Sequence, residues 1–365
     1  MKILLIGEFS GFHSSLQKSL KSMGVDVTIA GSKDGFKNID IDINLYPSKY
    51  YSRASIFDRI LKQITVMYRT RKFKDFDVVQ FISATKFFNR VPYIGYFYNK
   101  IIYNSILKNN KNVFLVSCGS DPVYSQIGLN YLDYQTINKN IASIHPKVKN
   151  LKALNWNIEL AQRVKGIIPI SYEYLIGYKN LNNKNINISE CIPLPVDTDR
   201  FSYSRNIVNN KIVILHGISR PEFKGSKHIL NAMEKIHKLY PDRVEIKSVT
   251  RLSLEEYIKQ VRDCNVLIDQ CNSYGYGMNT LIGLAFGKIV LSGAEKEHVD
   301  SLQLNNCPVF NIKPDEHQII KQLQKIIFNI DIEQKGWESR QFVENVHDSK
   351  IIAEKYLEYW KLYSD

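Results

Sequence analysis

Short apolar segments alternate with longer amphipathic segments from one end of the chain to the other. The short segments are rich in Ile, Val and Leu, which is the pattern of buried parallel strands. The longer segments repeat their apolar residues at helical spacing. This alternation predicts an α/β fold with parallel sheets, in which each strand is followed by a helix.

The same pattern gives the bounds of the predicted elements. In the first half we predict strands at Lys2–Gly7, Asp26–Ala30, Asp77–Ile82, Asn112–Cys118 and Gly166–Ile170, with helices at His13–Met23, Ile56–Lys74, Pro92–Lys108 and Leu151–Val164. In the second half we predict strands at Lys211–Gly217, Val244–Val249, Val266–Asp269, Lys288–Ser292 and Val309–Ile312, with helices at Lys227–Leu239, Leu254–Asp263, Asn279–Phe286 and Glu316–Ile330.

A linker separates the two halves of the chain, each of which has its own alternation of strands and helices. Pro193 and Pro195 precede a polar, Asn-rich stretch that runs to Asn210. A chain of 365 residues is long enough for two hydrophobic cores. We therefore predict an N-terminal domain over residues 1–195, a C-terminal domain over residues 196–342, and a last segment, 343–365, whose helix packs back onto the N-terminal domain.

Composition narrows the class of protein. Hydrophobic residues make up 44% and charged residues 23%, and the net charge of +13 predicts attraction to nucleic acid, an acidic membrane surface or phosphorylated small molecules. The five cysteines form no C-x-x-C pair, which favours reduced thiols over a disulfide framework or a zinc site. The N-terminal apolar run is too short for a signal peptide, and no stretch approaches the roughly 20 residues that span a bilayer. We expect a cytoplasmic protein.

Two candidate sites follow predicted strands in the first half. The Gly-containing turn Gly7–Ser15 leads into a helix whose N-terminus attracts anions, and it contains Gly11 and His13. The alternative is an ordinary turn in which Ser10 or Ser14 caps the helix. The segment Gly119–Pro122 places the Asp121 carboxylate at a strand end, where it would orient a sugar hydroxyl; here the alternative is a simple Asx or Pro turn.

A stronger candidate follows the first strand of the second half. The segment His216–Ser226 contains Gly217 and places Arg220 and Lys224 at the carboxyl end of a strand, just before a helix. Open α/β sheets bind ligands at that edge, and the two cations suit a diphosphate. The alternative is a solvated basic loop.

A glycine-rich segment, Asp269–Lys288, forms the other candidate of the second half. Its glycines permit close approach of the backbone to a ligand, and the polar side chains at the start of its helix would donate to phosphate or sugar. The residues of interest are Tyr276, Gly277, Met278, Asn279 and Thr280. The alternative is a connection packed under Tyr274 and Tyr276.

In this order the segments resemble the GT-B glycosyltransferases of family 4, over almost the full chain. Gly119-Ser120-Asp121 resembles the family's H-G-S-D, and Pro195–Phe201 resembles P-N-G-V-D-T-x-x-F. His216–Gly225 resembles G-R-x-x-x-x-K-G, and Tyr274–Gly287 resembles E-x-F-G-x-x-x-x-E-A-M-A-x-G. The resemblance implies two Rossmann-like, doubly wound domains that face each other across a cleft.

The resemblance also implies an activity. This is metal-independent, retaining transfer of a hexose-type sugar from a nucleoside diphosphate sugar to a glycan or lipid-linked acceptor, in surface polysaccharide synthesis such as capsule or lipopolysaccharide, with no cofactor. Arg220 and Lys224 match the cations that neutralise the leaving diphosphate. Gly217 and Tyr276–Thr280 would contact the donor, and Gly11, His13 and Asp121 the acceptor.

Three positions depart from the family pattern. The family's two glutamates fall on Tyr274 and Ile282, and its histidine falls on Cys118. Asp269, Asn279 or Glu295 are candidate replacements. The departures keep two alternatives open: a non-catalytic GT-B subunit that stabilises an active partner, and a sugar-nucleotide epimerase of the same fold.

Basic and aromatic residues cluster in the first half. The predicted helix Ile56–Lys74 carries Arg and Lys beside apolar residues, and Phe87–Tyr98 adds aromatic residues. This composition suits peripheral contact with an anionic membrane, at the inner face of the cell membrane. Nucleic acid is disfavoured because its base-stacking motifs are missing. The alternative is an ordinary helix with a solvated basic side.

Overall fold

A computed structural model describes residues 1–34, 39–46, 56–85, 97–133, 150–181 and 185–363 of the chain. Within these residues the strands form two sheets, and all the strand pairs are parallel. This confirms the predicted α/β class.

The first sheet belongs to the N-terminal half. Its described strands have the order β3-β2-β1-β4-β5-β6. They are β1 (Lys2–Ile6), β2 (Asp26–Gly31), β3 (Ile43–Asn44), β4 (Val78–Phe81), β5 (Asn112–Ser117) and β6 (Gly166–Pro169). The helices of this half are α1 (Phe12–Ser22), α2 (Ile56–Thr70), α3 (Phe97–Asn109), α4 (Pro122–Gln126), α5 (Leu151–Ala161) and α6 (Tyr172–Lys179).

The second sheet belongs to the C-terminal half. Its described strands have the order β11-β10-β9-β7-β8. They are β7 (Ile212–Ile218), β8 (Val244–Thr250), β9 (Val266–Ile268), β10 (Ile289–Ser292) and β11 (Phe310–Asn311). The helices are α7 (Pro221–Lys224), α8 (Ser226–Leu239), α9 (Leu254–Asp263), α10 (Met278–Ala285), α11 (Lys296–Ser301), α12 (Glu316–Asn329), α13 (Ile332–Val346) and α14 (Ser349–Leu362).

Both faces of each sheet are covered, which explains the continuous apolar runs in the strands. In β1, Leu4 and Ile6 point into one core cluster, whereas Ile3 and Leu5 point into another on the opposite face. All four side chains are fully buried. The second sheet is likewise enclosed by two clusters. This arrangement is the doubly wound architecture expected of Rossmann-like domains.

The C-terminal helix returns to the first half of the chain. Tyr356 and Trp360 of α14 are fully buried in the cluster that contains residues of β1 and α1. The Trp360 indole N–H donates to Gln80 Oε1 over 3.2 Å. The expected return of the last helix onto the N-terminal half is therefore confirmed.

The predicted linker lies beside this returning segment. Val196 N donates to His347 O over 2.8 Å, and Ser349 N donates to Val196 O over 3.0 Å. The outgoing and returning segments are thus hydrogen-bonded side by side. The domain bounds at residues 195 and 342 stay predictions.

Most predicted elements agree with the structure to within a few residues, but several helices were missed. The prediction left out α13, because the buried face of this helix carries Gly336, Ser339 and Arg340 beside Val343 and so lacks an apolar stripe. It also left out the short helices α4, α6, α7 and α11 and the strand β3. Residues 86–96, which carry much of the aromatic cluster, lie outside the described residues.

Candidate functional site

The two strongest sequence candidates meet at the carboxyl edge of the second sheet. Strands β7 and β9 are neighbours, with His216 paired to Ile268. The loops that follow them are therefore adjacent, and Cys271 N donates to Lys224 O over 2.9 Å. Asn272 Nδ2 also donates to Glu222 O over 2.8 Å. The fold thus joins two segments that are distant in sequence into one corner.

Lys224 is buried in this corner and forms an ion pair. Its ammonium donates to Asp269 Oδ1 and to Gly217 O, each over 2.8 Å. Burial alone would raise the pKa of Asp269, but Lys224 and the other donors lower it overall. The charge of Lys224 is therefore already balanced within the chain, and direct neutralisation of a diphosphate by Lys224 stays a prediction. In this conformation Lys224 holds the loop after β9.

Asp269 also organises the start of α10. Its Oδ1 accepts from Asn279 Nδ2 over 2.8 Å, and its Oδ2 accepts from Thr280 Oγ1 over 2.9 Å. Tyr257 of α9 adds a bond of 2.6 Å from its hydroxyl to Asn279 Oδ1. The side chains of Asn279 and Thr280, which we predicted to donate to a ligand, are thus committed to fixing the helix.

Arg220 differs from Lys224 because its side chain is exposed. Its guanidinium lies over the ring of Phe223, 4.3 Å from the centroid. It faces the N-terminal half, where it opposes the rise in pKa that burial causes at Tyr124 and Tyr174. Among the described residues no carboxylate forms an ion pair with it, so its charge remains available to an anion.

The segment Ser273–Gly277, here called the glycine loop, leads from β9 into α10. Gly275 packs so closely on His298 that an added Cβ would lie 2.7 Å from His298 Nδ1. At Gly277, by contrast, an added Cβ would have nothing within 4 Å. Gly277 is the N-cap of α10, no side chain caps the helix, and its first turn contains no acid. Among the described residues, no side chain therefore caps the backbone N–H groups of this turn, and there is room beside Gly277.

Two other predicted donor residues have structural positions. Tyr276 is buried, and its hydroxyl pairs with His347 Nε2 over 3.0 Å. Gly217 is required for packing, since an added Cβ would lie 2.5 Å from the Tyr257 hydroxyl. Gly277, Met278 and Asn279 remain partly exposed at the corner. Of the predicted donor residues, these three keep access to a ligand.

The corner also contains a buried, uncharged histidine. His216 Nδ1 pairs with Ile268 O and its Nε2 with Ser226 Oγ, each over 2.8 Å. Burial lowers the pKa of His216 to about 4. This side chain therefore ties β7 to β9 and α8 without adding positive charge.

At the N-terminal turn, the chain itself places a carboxylate beside the start of α1. The fully buried Glu8 accepts from Gly11 N and Ser14 N, each over 2.8 Å, so its carboxylate occupies the N-terminus of α1. Neither Ser10 nor Ser14 caps this helix, whose N-cap is Gly11 at φ 88°. His13 is fully buried, with Nδ1 on Gly7 O at 2.8 Å. His13 is thus held within the fold, Glu8 occupies the helix N-terminus, and the contact of Gly11 and His13 with an acceptor stays a prediction.

Asp121 is likewise committed to the fold. It is the N-cap of α4 and accepts from Val123 N over 2.7 Å and Tyr124 N over 3.1 Å. Ser117 Oγ and Tyr178 OH also donate to it. Burial raises the pKa of Asp121. The alternative reading as a turn residue describes it better than direct binding of a sugar hydroxyl.

Solved structures resemble the whole chain. Sucrose-phosphate synthase from Thermosynechococcus elongatus superimposes with a TM-score of 0.68 at 12% identity, covering 99% of both chains. HepE from Anabaena, solved with UDP-glucose, gives 0.64 at 12% identity over 99% of both chains. A glycosyltransferase from Rickettsia africae gives 0.56 at 15% identity, over 99% of this chain and 98% of the other. No protein-family model and no curated protein sequence matches the chain.

The chain has the GT-B fold. The likeness covers both halves, so it also supports the facing arrangement of the two Rossmann-like domains expected from the sequence.

The two positions at which the sequence resemblance would place glutamates are filled by packed side chains. Tyr274 is almost completely buried and its hydroxyl accepts from Asp133 N over 2.8 Å. Ile282 lies in the core cluster of the second half with Leu215 and Phe286. The candidate replacement Glu295 accepts from Asn311 Nδ2 over 2.9 Å and pairs with Lys313 over 3.2 Å. Glu295 and Asp269 are therefore engaged within the chain.

Other groups complete the description of the site. Within the described residues, no three or more His, Cys, Asp or Glu side chains are placed to hold a metal ion. No helix in that part of the chain is long and apolar enough to cross a bilayer. Sequence reasoning missed Tyr257, Glu173 and His298, whose roles depend on contacts between distant segments.

Proposed function

We propose that this chain is a glycosyltransferase that takes its sugar from a nucleoside diphosphate sugar. The observation that carries the proposal is that the exposed Arg220 and the uncapped N-terminus of α10 lie on the segments that follow the neighbouring strands β7 and β9. Ligands of open α/β sheets bind at this edge. An exposed cation and uncapped backbone N–H groups together suit a diphosphate.

The chemistry follows from where charge develops. When the bond between the sugar and the diphosphate breaks, negative charge accumulates on the leaving phosphate. Arg220 and the positive end of the α10 dipole stabilise that charge without moving far, which lowers the barrier. Lys224 contributes through Asp269, because their ion pair fixes Asn279 and Thr280 and so holds α10 in place.

The finer features of the reaction belong to the proposal as well. We propose transfer of a hexose-type sugar with retention of configuration and without a metal, because Arg220 and the helix provide the positive charge that a metal would supply. The acceptor is a glycan or lipid-linked molecule of surface polysaccharide synthesis, such as capsule or lipopolysaccharide. The UDP-glucose in the HepE structure supports a nucleotide sugar as the donor.

A surface of the N-terminal half supports a cytoplasmic enzyme that works at the inner face of the membrane. Four exposed apolar residues of α2 recur along one side of the helix: Phe57, Leu61, Ile64 and Tyr68. Phe57 is 78% and Tyr68 66% exposed, which is unusual for aromatic residues. Basic residues lie on the same helix: Arg59, Lys62 and Arg69. Such a surface suits the interface of an anionic bilayer.

A thermal-shift screen tests the donor assignment. UDP, UDP-glucose and other nucleoside diphosphate sugars should raise the melting temperature in a concentration-dependent way, because a ligand that binds the folded state stabilises it. UMP, which lacks the second phosphate, should raise it less. If no nucleoside diphosphate or its sugar raised the melting temperature, the assignment would be wrong.

A non-catalytic GT-B subunit is the second candidate. The observation in its favour is that Tyr274 and Ile282 are packed against the protein instead of being placed to accept hydrogen bonds from a donor. Such a subunit would show no release of UDP from UDP-glucose under any acceptor condition. It would stabilise a partner chain with which it copurifies.

A further inference from the structure

A carboxylate of the N-terminal half contacts the glycine loop directly. Glu173, in the first turn of α6, accepts from Ser273 Oγ over 2.9 Å and from Tyr274 N over 2.8 Å. The backbone of Gly275 is a further donor to it. The side chain is buried between the two halves of the molecule. Three consecutive residues of the loop thus depend on one acceptor from the opposite half.

Two more contacts from the N-terminal half hold the same loop. The ring of Tyr172 stacks on Tyr274 with centroids 6.2 Å apart and planes inclined by 22°. Asp133 N donates to the Tyr274 hydroxyl over 2.8 Å. From the C-terminal half, the His298 ring packs behind Gly275. The loop is therefore enclosed between α6 and α11.

The loop is a segment that needs such support. Gly275 and Gly277 give its backbone wide conformational freedom. Its last residue, Gly277, is the N-cap of α10, so the loop's conformation decides where the open N–H groups of that helix point. Without Glu173, the donors at residues 273–275 would lose the acceptor that fixes them.

We propose that Glu173 is a positioning residue that sets the glycine loop from the opposite domain, so that the donor site is complete only when the two domains are closed. This rests on the proposed function, since the site at α10 is the one assigned there to the diphosphate. Closure of the domains then orders the loop, and separation of the domains releases it.

The electrostatics of Glu173 give closure a pH dependence. Burial raises the pKa of Glu173 to about 7, despite the hydrogen bonds from the loop. The titratable groups that face it are Tyr124 and Tyr174, and its hydrogen-bond donors are neutral. In an open form the carboxyl would return towards its ordinary value of 4.5. Closure therefore takes up a proton between these values, and it weakens as the pH rises through about 7.

Small-angle X-ray scattering without ligand, at pH 6 and pH 8, tests the proposal. Wild type should have a larger radius of gyration at pH 8. Glu173→Ala should be expanded at both values, because the loop donors lose their acceptor. Glu173→Gln keeps one acceptor oxygen and cannot titrate, so its radius should not change with pH. The control is Glu190→Gln, since Glu190 also reaches the C-terminal half, at Gln303 over 2.5 Å, but is exposed.

Titration of UDP into the same variants is the second arm. Glu173→Ala should bind UDP at least tenfold more weakly than wild type, with Glu173→Gln restoring most of the affinity. Scattering and UDP affinity that are unchanged in Glu173→Ala would overturn the proposal, as would a pH response that persists in Glu173→Gln. If wild type did not bind UDP at all, the proposed function would fail, while scattering would still decide the role of Glu173.

Discussion

Lys224 and Arg220 both follow β7, but their substitution should have different effects. Replacement of Lys224 should mainly lower stability, and replacement of Arg220 should mainly lower the affinity for ligand. Lys224 and Asp269 form a buried pair, with side chains only 8% and 2% exposed. Lys224→Met keeps most of the volume but leaves the Asp269 carboxylate without its cation. Removal of one partner of a buried pair costs about 3–5 kcal/mol of stability. Arg220 is exposed, so Arg220→Ala should change stability by only about 0.5 kcal/mol.

The affinity for UDP should depend directly on Arg220, whereas Lys224 should affect it only through the stability of the fold. Arg220→Ala removes a charge-assisted contact with phosphate, which is worth about 1.5–3 kcal/mol, or about 10- to 150-fold in affinity. Any loss of affinity in Lys224→Met should accompany a loss of folded protein. Urea unfolding followed by circular dichroism measures the stability, and calorimetric titration with UDP measures the affinity.

A double variant provides the control for this pair. Lys224→Met with Asp269→Asn removes both charges and keeps an acceptor and donor near Asn279, so it should recover much of the stability lost in Lys224→Met. The pKa of Asp269 is lowered from 3.8, so its stabilisation is present above that value and lost only as the pH falls through the lower, folded value. In Lys224→Met that loss should begin at higher pH. A Lys224→Met protein as stable as wild type, or an Arg220→Ala protein with unchanged UDP affinity, would refute the reasoning.

Three further outcomes are expected. Ile282→Glu should lower the free energy of unfolding by at least about 3 kcal/mol in a urea titration, because it places a charge in the core, and an unchanged midpoint would contradict that packing. UDP binding should survive a chelator; loss in EDTA that magnesium reverses would show that a metal takes part. The protein should float with anionic vesicles at low salt but less at high salt, because salt screens the charges. Replacement of Phe57, Leu61 and Tyr68 by Ser should abolish this flotation. Equal flotation of that variant would exclude the α2 surface as the membrane contact.

The fold was predictable because its signal is local. Runs such as Ile3–Ile6 are apolar at every position, since both faces of the strand are buried, and amphipathic helices separate them. The helix α13 escaped prediction because Gly336, Ser339 and Arg340 form its buried face. Arg340 is accommodated there by donating to the Phe201 and Ala285 carbonyls, which no local pattern reveals.

The candidate site was only partly predictable, because the roles of its residues depend on distant partners. Sequence placed Arg220, Lys224 and the glycine loop at strand ends correctly. It treated the two cations as equivalent, since the partner of Lys224 lies 45 positions further along the chain. Glu173 accepts from the backbone of Tyr274 in the glycine loop, which lies 101 positions further along the chain. Asp121 and Glu8 are carboxylates whose partners are instead close in sequence. Each accepts from backbone N–H groups at the start of the next helix, so its position after a strand does not require a ligand.

Gly277 offers the most direct test of the central claim, that an anion binds at the start of α10. Its backbone is extended at φ −121° and ψ −172°, and an added side chain would meet nothing within 4 Å. Asp is a favourable N-cap, so Gly277→Asp should fold with an unchanged or higher melting temperature. Its carboxylate would occupy the helix N–H groups and repel a phosphate.

The decisive measurement is a calorimetric titration of UDP into wild type, Gly277→Asp and Gly277→Asn. We expect at least a tenfold loss of affinity in Gly277→Asp and a smaller loss in Gly277→Asn, which caps the helix without charge. A folded Gly277→Asp protein that binds UDP as tightly as wild type would contradict it.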